Sequence, residues 1–259
     1  MTTTARVTRV GPHPVRRRLL EVRSVTDLTP RLRRVTLTGD LDGFRSEAPD
    51  DHVKLFFPEP DASREALLAG EGVLARRDYT PGRFDPEASE LDITFVLHGD
   101  GPASTWAAQA RPGSLLVLGG PRGSLLVTYD FDTYLLAGDE AAQPAIRRRL
   151  EELPPQARVL VFLEVDGPAD EVPLDTRAAA SVTWLHRSGA EPGTTDLLER
   201  ALREVRLPEG DVFAWAGCES AAAGRIRQHL LEERGLNREW VRVAGYWKRG
   251  VSGHEEPKG

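Results

Sequence analysis

The sequence predicts two unlike halves in one chain of 259 residues: an N-terminal antiparallel Greek-key β-barrel, then a C-terminal parallel-sheet α/β domain of nucleotide-binding type. Up to about residue 129, short runs of alternating apolar and polar residues are separated by turn residues, with one helix-like interruption, as in a small barrel. From about residue 130, apolar strand-like runs alternate with helix-length segments, the pattern of a parallel sheet covered by helices on both faces. The grammar changes near Val127 to Thr133, with no internal repeat. The expected division is residues 1–15 as a disordered tail, 16–129 as the barrel, 130–250 as the α/β domain and 251–259 as a second tail. A chain of this length can bury a core in each half.

In order, strands are expected at Arg17 to Ser24 and Leu32 to Thr38, separated by the turn residues Asp27-Leu28-Thr29-Pro30, and at His52 to Pro58. The stretch Asp61 to Ala75 reads as a loop with a short helical turn. Further strands fall at Arg77 to Thr80, Leu91 to His98, Ser114 to Leu118 and Leu125 to Thr128, and a helix at Ala103 to Ala110. In the second half, Thr133 to Ala137, Val159 to Val165, Val182 to His186 and Val212 to Ala216 read as buried strands, with a last strand from Trp240 to Tyr246. Helices fit Gln143 to Leu153, Thr195 to Val205 and Ser220 to Arg234.

Composition narrows the chemistry. A formal net charge of −6 gives no general attraction to nucleic acid or to an anionic membrane. Cys218 is the only cysteine, which excludes an internal disulfide and a Cys-ligated iron–sulfur cluster. The histidines are too scattered to suggest a metal triad. Met1 to Arg18 has no apolar run of the signal-peptide kind and no window is apolar enough to span a bilayer, so the cytoplasm is the expected location. Lysine is scarce beside arginine, at Lys54, Lys248 and Lys258, so a lysine in a structured segment can mark a place for a compact ammonium.

The stretch from Arg77 to Thr105 carries the densest signal. Tyr79 at a strand end offers an aromatic face, Thr80 a hydroxyl and amide beside it, and Arg77, two residues earlier on the same strand face, a cation. Gly101-Pro102 makes a tight turn and Ser104-Thr105 opens a helix whose free amides suit phosphate. Together these fit a flavin joined to a pyrophosphate, although an amphipathic strand and an ordinary helix cap use the same residue types. His98 could touch the flavin or be a hydrogen-bonded strand-end histidine. Asp139 and Glu140 follow an apolar strand without a G-x-G-x-x-G pattern; they could meet ribose hydroxyls or favour the next helix electrostatically. Lys54, Lys248 and Arg249 could form an anion-binding cluster or be plain strand-end cations. Arg187 could meet a 2′-phosphate. Cys218, after an apolar strand, could be an inert core thiol.

In combination these stretches resemble one family, the siderophore-interacting FAD-binding proteins, which are flavin-dependent ferric-siderophore reductases related to the ferredoxin–NADP reductase superfamily. The resemblance runs through Arg77-Asp78-Tyr79-Thr80, Arg83-Phe84-Asp85-Pro86-Glu87, Phe95 to Gly99 with Gly101 to Ser104, Gly120 to Ser124, Ala137 to Glu140 before Pro144-Ala145-Ile146, Trp215 to Glu219 and Gly245-Tyr246-Trp247. It implies FAD contacts at Arg77, Tyr79, Thr80, Val96, His98, Ala103 and Ser104, with Gly101 and Thr105 at the phosphate turn, Asp139 and Glu140 near the adenosine end and Trp247 also at the cofactor. It implies a basic pocket for an anionic ferric siderophore, with Lys54, Arg249 and Lys248 as its cations. NADPH or NADH, or reduced ferredoxin, would be the donor, and a monomer is expected. The sequence departs from the family pattern at Gly82, where arginine is usual, with Arg83 one place on, and at Ala141, Gln143 and Cys218. The alternatives are an NAD(P)H-flavin oxidoreductase with another acceptor and a non-enzymatic siderophore-binding protein.

Overall fold

The structure is a computed structural model and describes residues 5–99 and 101–253. Two compact units emerge: Arg9–Leu126, and a second that joins the start of the chain, up to Thr8, to the chain from Val127 onward.

The first unit is built on a seven-stranded curled sheet. Its strands are β2 (Arg17–Asp27), β3 (Leu32–Gly39), β4 (Val53–Pro58), β5 (Val73–Tyr79), β6 (Pro81–Asp85), β7 (Glu90–Val96) and β8 (Leu115–Gly119), in the order β5-β4-β8-β2-β3-β7-β6. Every neighbouring pair is antiparallel. Alternation dictates the packing: on β4, Val53, Leu55 and Phe57 are buried while Lys54, Phe56 and Pro58 are half-buried on the other face. The buried set continues through Val35, Leu37, Leu91, Ile93, Phe95 and Leu118, one core under one face of the sheet. Helix α1 (Arg64–Ala69) lies between β4 and β5, and α2 (Pro102–Gln109) between β7 and β8.

Strand β6 is a difference from the sequence reading. It opens on Pro81-Gly82, which reads as a turn, and its pairing with β7 slips between Pro81 and Phe84. A side chain at Gly82 would put its Cβ 3.0 Å from the Asp92 carbonyl oxygen, so the glycine lets the irregular strand lie close on β7. Strand β1 (Val7–Val10), inside the stretch expected as a tail, pairs with β9 (Ser124–Val127) in a separate two-stranded sheet. Of the expected tails, residues 1–4 and 254–259 lie outside the described residues.

The second unit holds a five-stranded parallel sheet of β10 (Thr133–Gly138), β11 (Arg158–Val165), β12 (Ala179–His186), β13 (Val212–Glu219) and β14 (Val241–Trp247), in the order β12-β11-β10-β13-β14. Strands β10 and β13 are buried along their whole length because both faces are covered. On one face Tyr134 and Leu136 pack with Ile146 and Leu150 of α3 (Gln143–Glu152). On the other, Leu135 and Ala137 pack with Leu198 and Leu202 of α4 (Leu197–Glu204) and Ile226 of α5 (Ser220–Gln228). The expected buried strand near Val182 is instead an outer strand: β12 has one partner, and Val182 is 37% exposed. Strand order reverses between β10 and β13, so the carboxyl ends of these two strands flank the crevice where open α/β sheets bind ligands.

Candidate functional site

In the first unit, β5 pairs Arg77 with Leu55 and Tyr79 with Val53, so both follow the inward face, at one end of the strand order. The Tyr79 ring packs on Phe95, with centroids 4.7 Å apart, and edge-on to Phe57 at 6.2 Å. It remains half-buried, and burial pushes its phenol well above the usual range. Thr80 is buried directly after it. Arg77 is half-buried, with Nη1 donating to the Arg76 carbonyl at 2.7 Å.

The next stretch forms a turn into α2. Val96 ends β7 half-buried, and His98 is exposed. The His98 backbone N–H donates to Ser104 Oγ at 2.9 Å, which ties the turn to the helix. Gly99 takes a left-handed φ of 52° and Gly101 is the N-cap of α2. No side chain among the described residues caps that helix, Pro102 lacks an N–H, and a Cβ at Gly101 would meet nothing within 4 Å. The first-turn amides, those of Ala103 and Ser104 among them, are therefore left without a side-chain cap, as at helix starts that receive phosphate. Thr105 is exposed and its amide is already given to the Gly101 carbonyl at 2.9 Å. An uncapped helix start beside a half-buried tyrosine fits the pyrophosphate and ring of FAD.

Lys54 is on the other face of β4 from Val53 and Leu55, and its Nζ meets Asp78 Oδ1 at 2.8 Å. The pairing follows from register, because Lys54 and Asp78 are direct cross-strand partners. Arg83 is held by Asp85 at 2.8 Å, Glu90 at 2.9 Å and Asp92 at 3.7 Å, so its charge is spent on carboxylates of its own hairpin.

In the second unit, Asp139 and Glu140 follow the carboxyl end of β10 and both are buried. Both are engaged within the unit. Trp247 Nε1 donates to Asp139 Oδ2 at 2.7 Å, and the Ala141 amide to Oδ1 at 3.0 Å. Arg187 grips Glu140 with both terminal nitrogens, at 2.6 and 3.0 Å, and approaches Glu164 at 3.6 Å. Thr195 donates to Glu164 at 2.9 Å. Burial works against the Arg187 charge, but the bond to Glu140 and the charges of Glu140, Glu164 and Asp139 together outweigh it and hold its pKa above the ordinary value. Burial raises the pKa of Glu164. Burial and then the neighbouring Glu140 raise that of Asp139 to about 7.

This cluster corrects one expectation. Arg187 is not available to a 2′-phosphate, since its side chain is 1% exposed and forked onto Glu140. Sequence reasoning missed the pair because its members stand 47 residues apart. Cys218 is a buried free thiol whose pKa burial pushes far up, as an inert core residue requires. Lys248 and Arg249 are exposed after β14; the Arg249 amide donates to Glu219 at 3.3 Å, and its guanidinium lies 3.8 Å from Glu191.

A curled antiparallel sheet joined in one chain to a parallel-sheet unit, with an aromatic strand end and an uncapped helix start in the first, is the architecture of a flavin-dependent oxidoreductase. Comparison with known proteins narrows the class. Residues 21–125 match the model of the siderophore-interacting FAD-binding domain and residues 131–250 that of the siderophore-interacting protein. The NADPH-dependent ferric-chelate reductase of Escherichia coli is 36% identical over 248 residues, 90% of this chain and 93% of the relative. The ferric vibriobactin reductase ViuB of Vibrio cholerae is 34% identical over 256 residues, 92% of this chain and 93% of the relative. The crystal structure of a siderophore utilization protein from T. fusca superposes with a TM-score of 0.88 at 47% identity, covering 96% of this chain and 99% of that one. The chain belongs to the siderophore-interacting protein family.

Proposed function

We propose that this protein is an FAD-dependent ferric-siderophore reductase, moving electrons from NAD(P)H through FAD to siderophore-bound Fe(III) and releasing Fe(II). The observation that carries the reading is the Tyr79 ring beside the uncapped start of α2, within a family whose first domain binds FAD. FAD, when bound, supplies the redox chemistry, taking electrons from a nicotinamide and passing them on to iron. The protein's own groups bind and orient. Tyr79, Thr80 and Val96 flank the ring, Arg77 and the amides of Ala103 and Ser104 take the pyrophosphate, and His98 borders the turn. In the second unit Trp247 holds Asp139 and Arg187 holds Glu140 at the strand ends.

The substrate is an anionic ferric chelate, met in the first unit by Lys54; in the second unit Lys248 and Arg249 are exposed cations after β14. Hard oxygen donors hold Fe(II) less tightly than Fe(III), so reduction frees the metal. NADPH is the first donor to test, given the printed activity of the Escherichia coli relative, with reduced ferredoxin as the second. The cytoplasm, where reduced nicotinamide is held, is the proposed location, and the monomer the proposed state. No helix among the described residues is long and apolar enough to cross a membrane.

The test is an anaerobic visible spectrum of the FAD-loaded protein before and after NADPH, then after a ferric siderophore with a ferrous-trapping dye. Bleaching on NADPH and recovery as the dye colours is the expected result. Recovery with a generic acceptor but not with the ferric chelate would overturn the reductase reading. Lys54→Gln is expected to lower kcat/KM for an anionic ferric chelate about tenfold at low salt, with FAD content unchanged, because local positive charge speeds encounter by roughly 10 to 1,000-fold. Lys54→Arg should keep most of the rate. An unchanged rate in Lys54→Gln removes this residue from the substrate site.

A further inference from the structure

We propose that Trp247 gates the crevice at the ends of β10 and β13, so that a nicotinamide dinucleotide enters it only after the indole has swung off Asp139, the identity of that donor resting on the reductase reading. Every residue involved belongs to the second unit.

Register places the ring. Trp247 pairs with Glu219 on β13, and β13 separates β14 from β10. Two strand spacings, about 10 Å, therefore lie between the Trp247 backbone and the end of β10. Asp139 continues β10 beside β13, its amide donating to the Gly217 carbonyl at 3.3 Å. For Nε1 to reach Asp139 Oδ2 at 2.7 Å, the indole has to cross the end of β13. Its far edge meets the loop between β12 and α4: a Cβ on Gly193, which has a left-handed φ of 73°, would lie 2.8 Å from Trp247 Cη2 and 2.8 Å from Glu219 Cγ. The ring thus lies across the mouth of the crevice, from β14 to the Gly193 loop. Beneath it the floor is closed, since a Cβ on Gly138 would lie 2.5 Å from Ala142 Cβ and 2.6 Å from the Gly217 carbonyl oxygen. A ligand at these strand ends must take the space that the ring fills.

The walls of the crevice are fixed, and the ring is held by little. Glu219 caps α5, its Oε2 accepting from the Ala221 amide at 2.6 Å and the Ala222 amide at 3.2 Å. Ser220 Oγ donates to the Trp247 carbonyl at 2.9 Å, which anchors that residue's backbone. Its side chain is half-buried, turns on two torsions and is tied by the bond to Asp139. When the indole leaves, Asp139 becomes an open acceptor for a ribose hydroxyl, so one donor replaces another. A ligand whose site exists only in the open fraction binds more weakly in proportion to that fraction. A hydrogen bond to a carboxylate shifts such a fraction by roughly tenfold or more.

The experiment is titration calorimetry of the oxidised, FAD-loaded protein with NADP+ and NAD+, repeated on Trp247→Ala and Trp247→Phe, with anaerobic bleaching of the same samples by NADPH and NADH. The dissociation constant of the dinucleotide is expected to fall about tenfold in Trp247→Ala, and by a smaller factor in Trp247→Phe, which keeps a ring but has no N–H to donate. Damage to the fold would weaken binding instead, so the direction of the change separates a gate from a structural role. Retained FAD content and an unchanged circular dichroism spectrum show that the variants fold. Tighter binding in the variants without bleaching keeps the gate and overturns the reductase reading. Bleaching of the unaltered protein, with unchanged or weaker binding by both variants, keeps the reading and overturns the gate. No saturable binding of either dinucleotide at millimolar concentrations, in the unaltered protein or the variants, also overturns the gate.

Discussion

Replacing Arg187 with methionine is expected to lower the stability of the second unit by about 3–5 kcal/mol, the usual cost of removing one partner from a buried ion pair. The side chain is 1% exposed and is the counter-charge for Glu140 and, at 3.6 Å, for Glu164. Its loss leaves two buried carboxylates without a cation. Glu164, whose pKa burial already raises, then holds its proton to still higher pH in the folded state than in the unfolded one, and that contribution is lost as pH rises through the raised folded value. The deficit of Arg187→Met should therefore be larger at pH 8 than at pH 5. Glu140→Gln/Arg187→Met should recover part of the loss, since Glu164 alone stays charged. Tryptophan fluorescence in urea is a suitable probe: Trp184, Trp215, Trp240 and Trp247 lie in the second unit and only Trp106 in the first. A deficit under about 1 kcal/mol, or one that shrinks with pH, contradicts this account of the pair.

Local pattern made the architecture legible, and long-range partnering hid the wiring of the site. Alternation on β4 and β7, and fully apolar runs such as Tyr134 to Ala137, follow from which faces are covered, so they can be read from neighbours in sequence. The turn into α2 was legible for the same reason, since Gly101, Pro102 and Ser104 lie within one helical turn. What a charged side chain meets depends instead on register between distant segments. Lys54 reads as a free cation until β4 is paired with β5, which sets Asp78 opposite it. Arg187 reads as an exposed strand-end arginine until the β10 and β12 ends converge on Glu140. The indole of Trp247 finds Asp139 across 108 residues. Strand β6 was missed because its local residues contradict its structure, Pro81 and Gly82 being turn formers that an irregular, closely packed strand also needs.

Asp139→Asn is expected to become more stable relative to the unaltered protein as pH rises from 5 to 8. Asp139 is 5% exposed, and burial and then Glu140 hold its carboxyl at about 7, whereas an unfolded aspartate titrates near the ordinary value of about 4. Between those two values the folded state binds a proton that the unfolded state has released. The stabilisation from protonated Asp139 is thus full below about pH 4 and is lost as pH rises through about 7. Asparagine cannot ionise, so its difference from the unaltered protein should shift by about 2–4 kcal/mol across the window, on the order of the pKa change converted to energy. At low pH the variant should be slightly the less stable, because an amide cannot accept from both the Trp247 indole and the Ala141 amide as the carboxyl does. The indole supplies an independent readout. The fluorescence difference between the unaltered protein and Trp247→Phe should titrate near pH 7, and Asp139→Asn should abolish that titration. A stability difference that is flat with pH, together with a Trp247 signal that does not titrate, would assign the proton to another of the buried carboxylates and leave Asp139 ionised throughout.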